Sequence, residues 1–525
     1  MWTSQPLSAW PVALPQGIGG KWTGWSQQPD ASFAWPQAAR ERVFDALSSQ
    51  YAEAGLEPPS TLVSLQNGKC RAVTVGHQLV LAGGPAFFHH KILSAIRTAR
   101  ALSEEMGFPV VPLFWMATED HDWREVSVLE GEASTHRWSP SQSDLPHPVG
   151  RRSLDGIEAA LSAWMEDLSE PGIVADVLEE FHSALAQGET LSGLMRRWLH
   201  RWYAREGLLV FDADDPSLKA FASDLWVAEF EGRGIHSILE GRAEMEGPAH
   251  VRGNNVFWMD GDAGRAGVVQ SKDGDFWQSG ELQVANVDED WSTWAKTHAS
   301  QCSPGVLLRP LYQECLLHSI AVVVGPGEWG YWHQLPDVFA KMGIAFPALR
   351  MRDHAVVHSR ETIELGWELS QGWMPTQDWD RWVLDRWLDE LGPELERQET
   401  ALRLWQNRQL EWVLKEAPEL EGPTAAFTAA TNKAWGQWMT KVRRALKGTH
   451  AKEWARAQQA HASLMRAGKP QDRWASWHVL SGGDWPRWNQ DWLDKTKGVE
   501  ALVWSFVPQG DQDVNDAPEN SADRN

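Results

Sequence analysis

The chain has 525 residues, and its 71 acidic against 48 basic side chains give a formal charge of −23; this argues against a general nucleic-acid binder, because phosphate recognition relies on Lys and Arg. Three cysteines, Cys70, Cys302 and Cys315, have neither paired nor zinc-like spacing, which excludes a disulfide scaffold and fits a reducing compartment. Such a length buries a large core without metal or disulfides, and the absence of an apolar leader or of any run near the ~18 apolar residues of a membrane span predicts a cytoplasmic protein with no membrane contact.

Ala72 to Val75 is a short, partly β-branched run that breaks at Gly76, so a strand is expected there with His77 and Gln78 at its mouth. Gly83 and Gly84 lead to Pro85, which suits a helix start because its missing N–H needs no partner there. Phe88, Ile92, Ala95, Ile96, Ala99 and Leu102 then recur every three or four residues and form a core-facing stripe. The open amides at the start of this helix are expected to face His77 as a seat for an anion. After Gly107, Pro109 to Met116 is nearly all apolar, as for a strand covered on both faces, and it runs into Glu119, Asp120, His121 and Asp122.

The alternation returns downstream. Leu208 to Phe211 reads as a strand ending at Asp212, and Asp214, Asp215 and Pro216 open a helix. Arg309 and Pro310 begin another helix. Ile320 to Val324 is a strand stopping at Gly325, Pro326 starts a helix carrying Glu328 and Tyr331, and Ala345 to Leu349 is a strand ending at Arg350. Five strand-and-helix units predict an α/β fold with a doubly wound parallel sheet, assembled from segments 1–130, 206–232 and 307–359.

Two insertions interrupt this core. Segment 131–205 reads as helical, and 233–306 as hairpin-rich, with Asp260-Gly261 and Asp273-Gly274 between short apolar runs. Within 360–467, Leu395, Gln398, Leu402, Trp405, Gln409 and Trp412 fall at alternating spacings of three and four before Pro418 and Gly422-Pro423. A second helix carries Trp435, Trp438, Val442 and Ala445, so an antiparallel coiled-coil arm is expected. Residues 468–507 are expected to pack back on the core, and the polar, acidic tail 508–525 to be disordered.

An open parallel sheet binds ligands beyond the carboxyl ends of its strands, and that is where the polar residues collect. The plain reading of Glu119, Asp120, His121 and Asp122 is a solvated strand end with a helix cap, which accounts for one or two of them; four ionisable residues directly after an apolar strand favour a functional cluster. His77 by itself reads as a structural histidine, but beside a helix start and opposite acids it becomes an anion contact. Arg309, Gln313, Glu328, Tyr331 and Arg350 fall at the same predicted edge. No phosphate loop, nucleophile elbow or zinc-ligand set is found, so no metal is assigned.

In order along the chain, Val73-Thr-Val-Gly-His-Gln78, Gly84-Pro85, Lys91-Ile92, Phe114-Trp115 and Glu119-Asp-His-Asp122 are followed by Leu308-Arg309-Pro310 with Gln313, Gly325-Pro326 with Glu328 and Tyr331, Pro347 with Arg350, and Gly468-Lys-Pro-Gln-Asp-Arg473. This succession resembles the BshC family, cysteine ligases of bacillithiol biosynthesis. The resemblance implies a Rossmann-like core with two connecting insertions and a coiled-coil arm, and addition of cysteine to the amine of glucosaminyl malate. It implies catalytic roles for His77, Glu119, Asp120 and His121, and a substrate or nucleotide site at Gly76, Gln78, Gly84, Lys91, Asp122, Arg309, Gln313, Glu328, Tyr331 and Arg350. ATP or another nucleotide is a candidate cofactor. The chain departs from the family at Val75, Gly83, Phe87 and His90, where hydroxyl-bearing Thr or Tyr is usual.

Amide formation needs a neutral amine and an activated acyl group. Asp120 or His121 is expected to take the amine proton, His121 being the better base from an ordinary pKa of ~6.5, while His77, Gln78 and Arg309 stabilise negative charge. Two rival readings are a metal-dependent hydrolase using Glu119 to Asp122, and a scaffold in which the coiled coil does the binding. The expected partners are glucosaminyl malate and cysteine, with the exposed arm as a homodimer contact.

Overall fold

In a computed structural model, the short apolar runs bounded by glycine and proline become five strands: β1 (Arg71–His77), β2 (Val110–Met116), β3 (Leu209–Asp212), β4 (Ala321–Val324) and β5 (Ala348–Met351). They lie in the order β5-β4-β1-β2-β3, and every neighbouring pair is parallel. The structure describes residues 2–6, 24–30, 32, 34–132, 134–139, 147–261, 264–358, 379–390, 393–495 and 502–506; the tail 508–525 and the start of the expected arm lie outside them. These residues form two units, one from Trp2–Ala355 with Asp472–Trp504, the other centred on Val356–Gln471.

The doubly wound sheet predicted from the alternation is therefore present. β2 is buried along its whole length and β1 along all but its last residue, which is why neither run alternates with polar residues. Chain connections depart in opposite directions from β1 and β4, and such a switch point leaves a crevice outside the carboxyl ends of the strands.

Helix α1 (Ala86–Met106) connects β1 to β2 and buries the predicted stripe of Phe88, Ile92, Ala95, Ile96, Ala99 and Leu102. Gly107 ends it in the left-handed region at φ 70°, a conformation that a Cβ disfavours. Pro85 is the cap rather than the first helical residue. The expected anion seat is corrected here: the Ala86 amide donates to the Ala475 carbonyl at 2.9 Å, so the C-terminal segment covers the start of the helix. Helices Trp477–Ser481 and Trp485–Lys495 pack on α1. His89 stacks on Trp477 at 3.7 Å and His90 on Trp492 at 4.9 Å, which places both histidines in an aromatic core.

After β2 the chain forms a hairpin of Val128–Glu130 and Thr135–Arg137, then helices Ile157–Glu166, Ala175–Ala186 and Leu191–Tyr203. After β3 come five antiparallel strands, Val256–Asp260, Gly264–Gln270, Phe276–Ser279, Leu282–Asn286 and Cys302–Pro304. The last of these delivers the chain to α2 (Leu308–Leu317), and β4 leads into α3 (Pro326–Trp332). No helix among the described residues is long and apolar enough to cross a membrane.

In the second unit, helices Pro393–Glu416 and Glu421–Thr449 pack together across the turn Pro418–Leu420. Pro423 sits in the first turn of the second helix, where a missing N–H costs little. The contact seam differs from the expected one. Gln406 and Val413 are buried while Trp405 and Trp412 are 44% and 54% exposed, so those positions are displaced by one residue. A spacing that alternates three and four leaves the phase open, and here the Gln406 amide settles it by donating to Asn432 Oδ1 at 3.0 Å.

Candidate functional site

A cleft of about 510 Å³ opens beyond the carboxyl ends of β1, β2 and β4, at the switch point of the sheet. β1 contributes Gly76 and His77, the residue after it is Gln78, and the turn after β2 contributes Glu119 and Asp120. Lys91 comes from α1, Arg309 from α2, and Glu328 and Tyr331 from α3. Residues as far apart in sequence as Gly76 and Tyr331 thus share one cavity.

Close approach at the end of β1 depends on glycine. A Cβ on Gly76 would lie 3.3 Å from Arg309 Nη1 and 3.7 Å from Trp115 Cβ, so with a side chain here the guanidinium would have to shift by a few tenths of an ångström. The Gly76 carbonyl accepts from Lys91 Nζ at 2.5 Å, and the same ammonium pairs with Glu328. Glu328 also accepts from the Gly325 amide at 2.8 Å, which closes the first turn of α3. Burial alone would raise the Glu328 carboxyl, but Lys91 and Arg309 more than offset it and hold it below its ordinary value. Arg309 in turn donates to the Tyr331 hydroxyl and to Gln313 Oε1.

The Glu119 to Asp122 block divides into four different environments. Glu119 pairs with Lys219 at 2.7 Å, and Lys219 pairs at 2.7 Å with Asp214, so this carboxylate belongs to a buried ion network as well as to the cleft wall. Burial holds the Glu119 carboxyl above its ordinary value against the pull of Lys219. Asp120 accepts from Gln78 Nε2 at 2.6 Å and from the His121 amide at 2.7 Å. Burial raises this carboxyl, but the Gln78 hydrogen bond and Arg265 outweigh it and leave it below its ordinary value. Asp122 accepts from the Glu125 amide at 3.3 Å as the cap of the short helix Trp123–Val126, the plain reading for this one residue.

The two histidines differ in which ring nitrogen carries the proton. Arg265 Nη1 lies 2.7 Å from His121 Nδ1, and since a guanidinium only donates, His121 must accept there and keep its proton on Nε2. His121, whose imidazole is lowered first by burial and then by Arg265, therefore presents a donor and not a base. His77 Nδ1 lies 2.9 Å from the Gln78 carbonyl, which only accepts, so Nδ1 carries the proton and Nε2 keeps its lone pair. Burial, with Lys91 adding to it, pushes His77 down to about 4, so it is neutral near pH 7.

Five predicted residues do not line the cleft. Arg350 lies within β5, because the strand extends past the expected end at Leu349, and its fully buried guanidinium pairs with Asp353 at 2.9 Å. Gly84 takes φ 57° in the turn before α1 and packs on Val80. Gln313 is buried behind Arg309 and donates to Glu314 at 2.8 Å. Asp122 and His121 stand outside the lining. Sequence reasoning missed Phe87, Glu125, Arg252, Arg265 and Arg352, which do line it. Arg473 lines it too, and stood in the C-terminal segment singled out for its family likeness. For Arg265 there was no local signal: it sits in a hairpin strand, with its guanidinium 4.0 Å over Phe257, and is fixed by Ser303 Oγ at 2.9 Å and the Pro304 carbonyl at 2.8 Å.

The cleft therefore combines a neutral imidazole lone pair, an ionised Asp120 and several guanidinium donors. Such a set can take a proton from a nucleophile and stabilise developing negative charge. The protein's own Cys70 and Cys315 thiols are pushed up to about 12 and about 11 by burial and so stay protonated. Among the described residues no group of three or more His, Cys, Asp or Glu is arranged to hold a metal ion. Glu119, His121 and Asp122 are drawn apart by Lys219, Arg265 and a helix start, which removes the geometric basis of the metal-hydrolase reading.

A family model described as Bacillithiol biosynthesis BshC, N-terminal Rossmann-like domain, matches residues 23–353. Among similar proteins named "Putative cysteine ligase BshC", that of Flavobacterium johnsoniae is 27% identical over 317 residues, 59% of this chain and 58% of the relative. The Salinibacter ruber protein is 29% identical over 347 residues, 62% of this chain and 63% of the relative. The Geobacillus thermodenitrificans protein is 27% identical over 456 residues, 81% of each. The match to the Flavobacterium and Salinibacter proteins thus spans less than two thirds of their length.

Proposed function

The chain belongs to the BshC family of bacillithiol biosynthesis, and from that premise we propose that it is a cysteine ligase that joins cysteine to the amine of glucosaminyl malate in the cleft beyond β1, β2 and β4. The observation that carries this reading is the convergence of His77, Asp120, Arg309 and Glu328, from separate segments, around one cavity at the switch point. Its volume of about 510 Å³ suits small-molecule substrates.

The reaction joins an amine to an acyl carbon. As the C–N bond forms, the amine nitrogen becomes acidic and its proton passes to His77 Nε2, the lone pair left by the Gln78 contact. The leaving group on the acyl carbon, which an activating co-reactant such as ATP would install on the cysteine carboxyl as a phosphoryl or nucleotidyl ester, departs as the C–O bond breaks with its electron pair. Arg309, held by Tyr331 and Gln313, is placed to stabilise the negative charge that develops on the acyl oxygen. Asp120, fixed by Gln78, orients the incoming amine by accepting one of its hydrogens.

The test incubates purified protein with glucosaminyl malate and cysteine, with and without ATP and Mg²⁺, and follows the amide product by mass spectrometry. Product should form, and His77→Asn should lower kcat on the order of 10²-fold. No product from folded wild-type protein in any of these mixtures would sink the reading.

A further inference from the structure

Arg252 and Arg309 both line the cleft, and both enter it from one joint in the backbone. The strands Val256–Asp260 and Cys302–Pro304 pair antiparallel with Pro304 opposite Val256, and the ladder runs one rung further, where the Gly305 amide donates to the Asn255 carbonyl at 2.7 Å. Arg252 stands just before this rung. Just after it α2 begins, and the Gly305 carbonyl accepts from the Leu308 amide at 3.1 Å and from the Arg309 amide at 2.9 Å. The position of Gly305 therefore sets the first turn of the helix that carries Arg309. The two backbones are in close contact, since a Cβ on Gly305 would lie 2.9 Å from the Asn255 oxygen.

Two buried side chains hold the joint from behind. Asn255 closes the Arg252 loop on itself, donating to the Arg252 carbonyl at 3.2 Å and accepting from the Arg252 amide at 3.4 Å. Its Nδ2 and its own backbone amide both donate to Glu229 Oε2, at 3.1 and 2.6 Å, and Glu229 Oε1 accepts from the Ile235 amide at 2.7 Å. Glu229, on the helix Ser223–Phe230, is 2% exposed and stands outside the cleft lining. It pairs with no Lys or Arg among the described residues, so N–H donors alone offset the burial of its carboxylate. An apolar side chain of this size would pack without that desolvation cost. What the carboxylate adds is direction, because donors from two segments are fixed on one acceptor group.

We propose that Glu229 and Asn255 are positioning residues for the amide-forming step: they fix the rung between Asn255 and Gly305, and through it the Arg309 guanidinium that meets the acyl oxygen. The step itself rests on the ligase reading above; the joint does not. A merely structural staple costs stability wherever it is cut, whereas a positioning role requires that the loss of rate pass through Arg309.

The test compares the full-length wild type with Asn255→Ala and Glu229→Gln, with rates taken per folded protein; either variant alone carries the comparison. Asn255→Ala should lower kcat for amide formation on the order of tenfold and leave KM for glucosaminyl malate within about twofold. Glu229→Gln leaves one of two backbone amides without an acceptor and should do the same. In an Arg309→Lys background each change should cost less than about twofold, because the group it positions is already gone. A tenfold loss in both backgrounds, or an unchanged kcat in the single variants, overturns the proposal. Hydrogen exchange followed by mass spectrometry reads the joint without turnover. In either variant the amides of 305–309 should exchange on the order of tenfold faster while those of β1 keep their wild-type rate. Equal protection at 305–309 also overturns the proposal. A wild type that forms no amide, with this exchange pattern in the variants, sinks the ligase reading and leaves the joint standing; amide formation with protection unaffected sinks this inference alone.

Discussion

Glu314, behind Arg309 and Gln313, is a sharp test of the packing argument because its effect on stability has a definite sign. The carboxyl is fully buried, accepts from Gln313 Nε2 at 2.8 Å and from the Ser319 amide at 2.6 Å, and pairs with no cation among the described residues. Burial raises it from an ordinary 4.5 to about 7. Between these values the folded state holds a proton that the unfolded chain has released, so stability falls as pH rises. Below 4.5 the contribution vanishes, and above about 7 the full cost of a buried carboxylate is present. The gap from 4.5 to about 7, at about 1.4 kcal/mol per pH unit, amounts to about 3 kcal/mol. Glu314→Gln keeps the shape and an acceptor for Ser319 but cannot ionise. Urea unfolding of both proteins from pH 4.5 to 8 should therefore show the variant gaining about 3 kcal/mol relative to wild type across that window. Parallel stability curves would refute the reasoning, because they would mean that Glu314 titrates alike in both states.

Other residues give independent checks. Gly76→Ala places a Cβ 3.3 Å from Arg309 Nη1, so the guanidinium must move by a few tenths of an ångström; kcat, measured at steady state, should fall on the order of tenfold. Lys219→Met leaves Glu119 and Asp214 without their shared cation, and a thermal melt should report a loss of roughly 3–5 kcal/mol. Asp122→Ala removes a helix cap and should cost about 1 kcal/mol in urea unfolding. His121→Ala takes away an acceptor of Arg265 but no base, so KM should rise while kcat stays within about threefold, in contrast to His77→Asn.

The strands and the first helix were legible because their signals are local. β-branched or continuous apolar runs ended by Gly76 and Gly325, and the Phe88 to Leu102 stripe, reflect backbone periods of two and 3.6 residues that covalent geometry imposes wherever they occur. The concentration of polar residues after β1, β2 and β4 followed from the same logic, and His77, Asp120, Arg309 and Glu328 do meet at that edge. Arg350 misled because its position was judged from a strand end, and the strand ran on past it.

What the amino-acid order by itself determined is where chain segments become strands or helices and which of their ends carry chemistry. Tertiary structure alone decided which nitrogen of His121 holds the proton. That choice is made by Arg265, from 144 residues away. It likewise chose which register of the long helical hairpin is buried, hiding Gln406 and leaving Trp405 outside. The physical reason is common to these cases: a donor, an acceptor or a buried face acquires its role from its partner in space, and no local period in the chain records who that partner is.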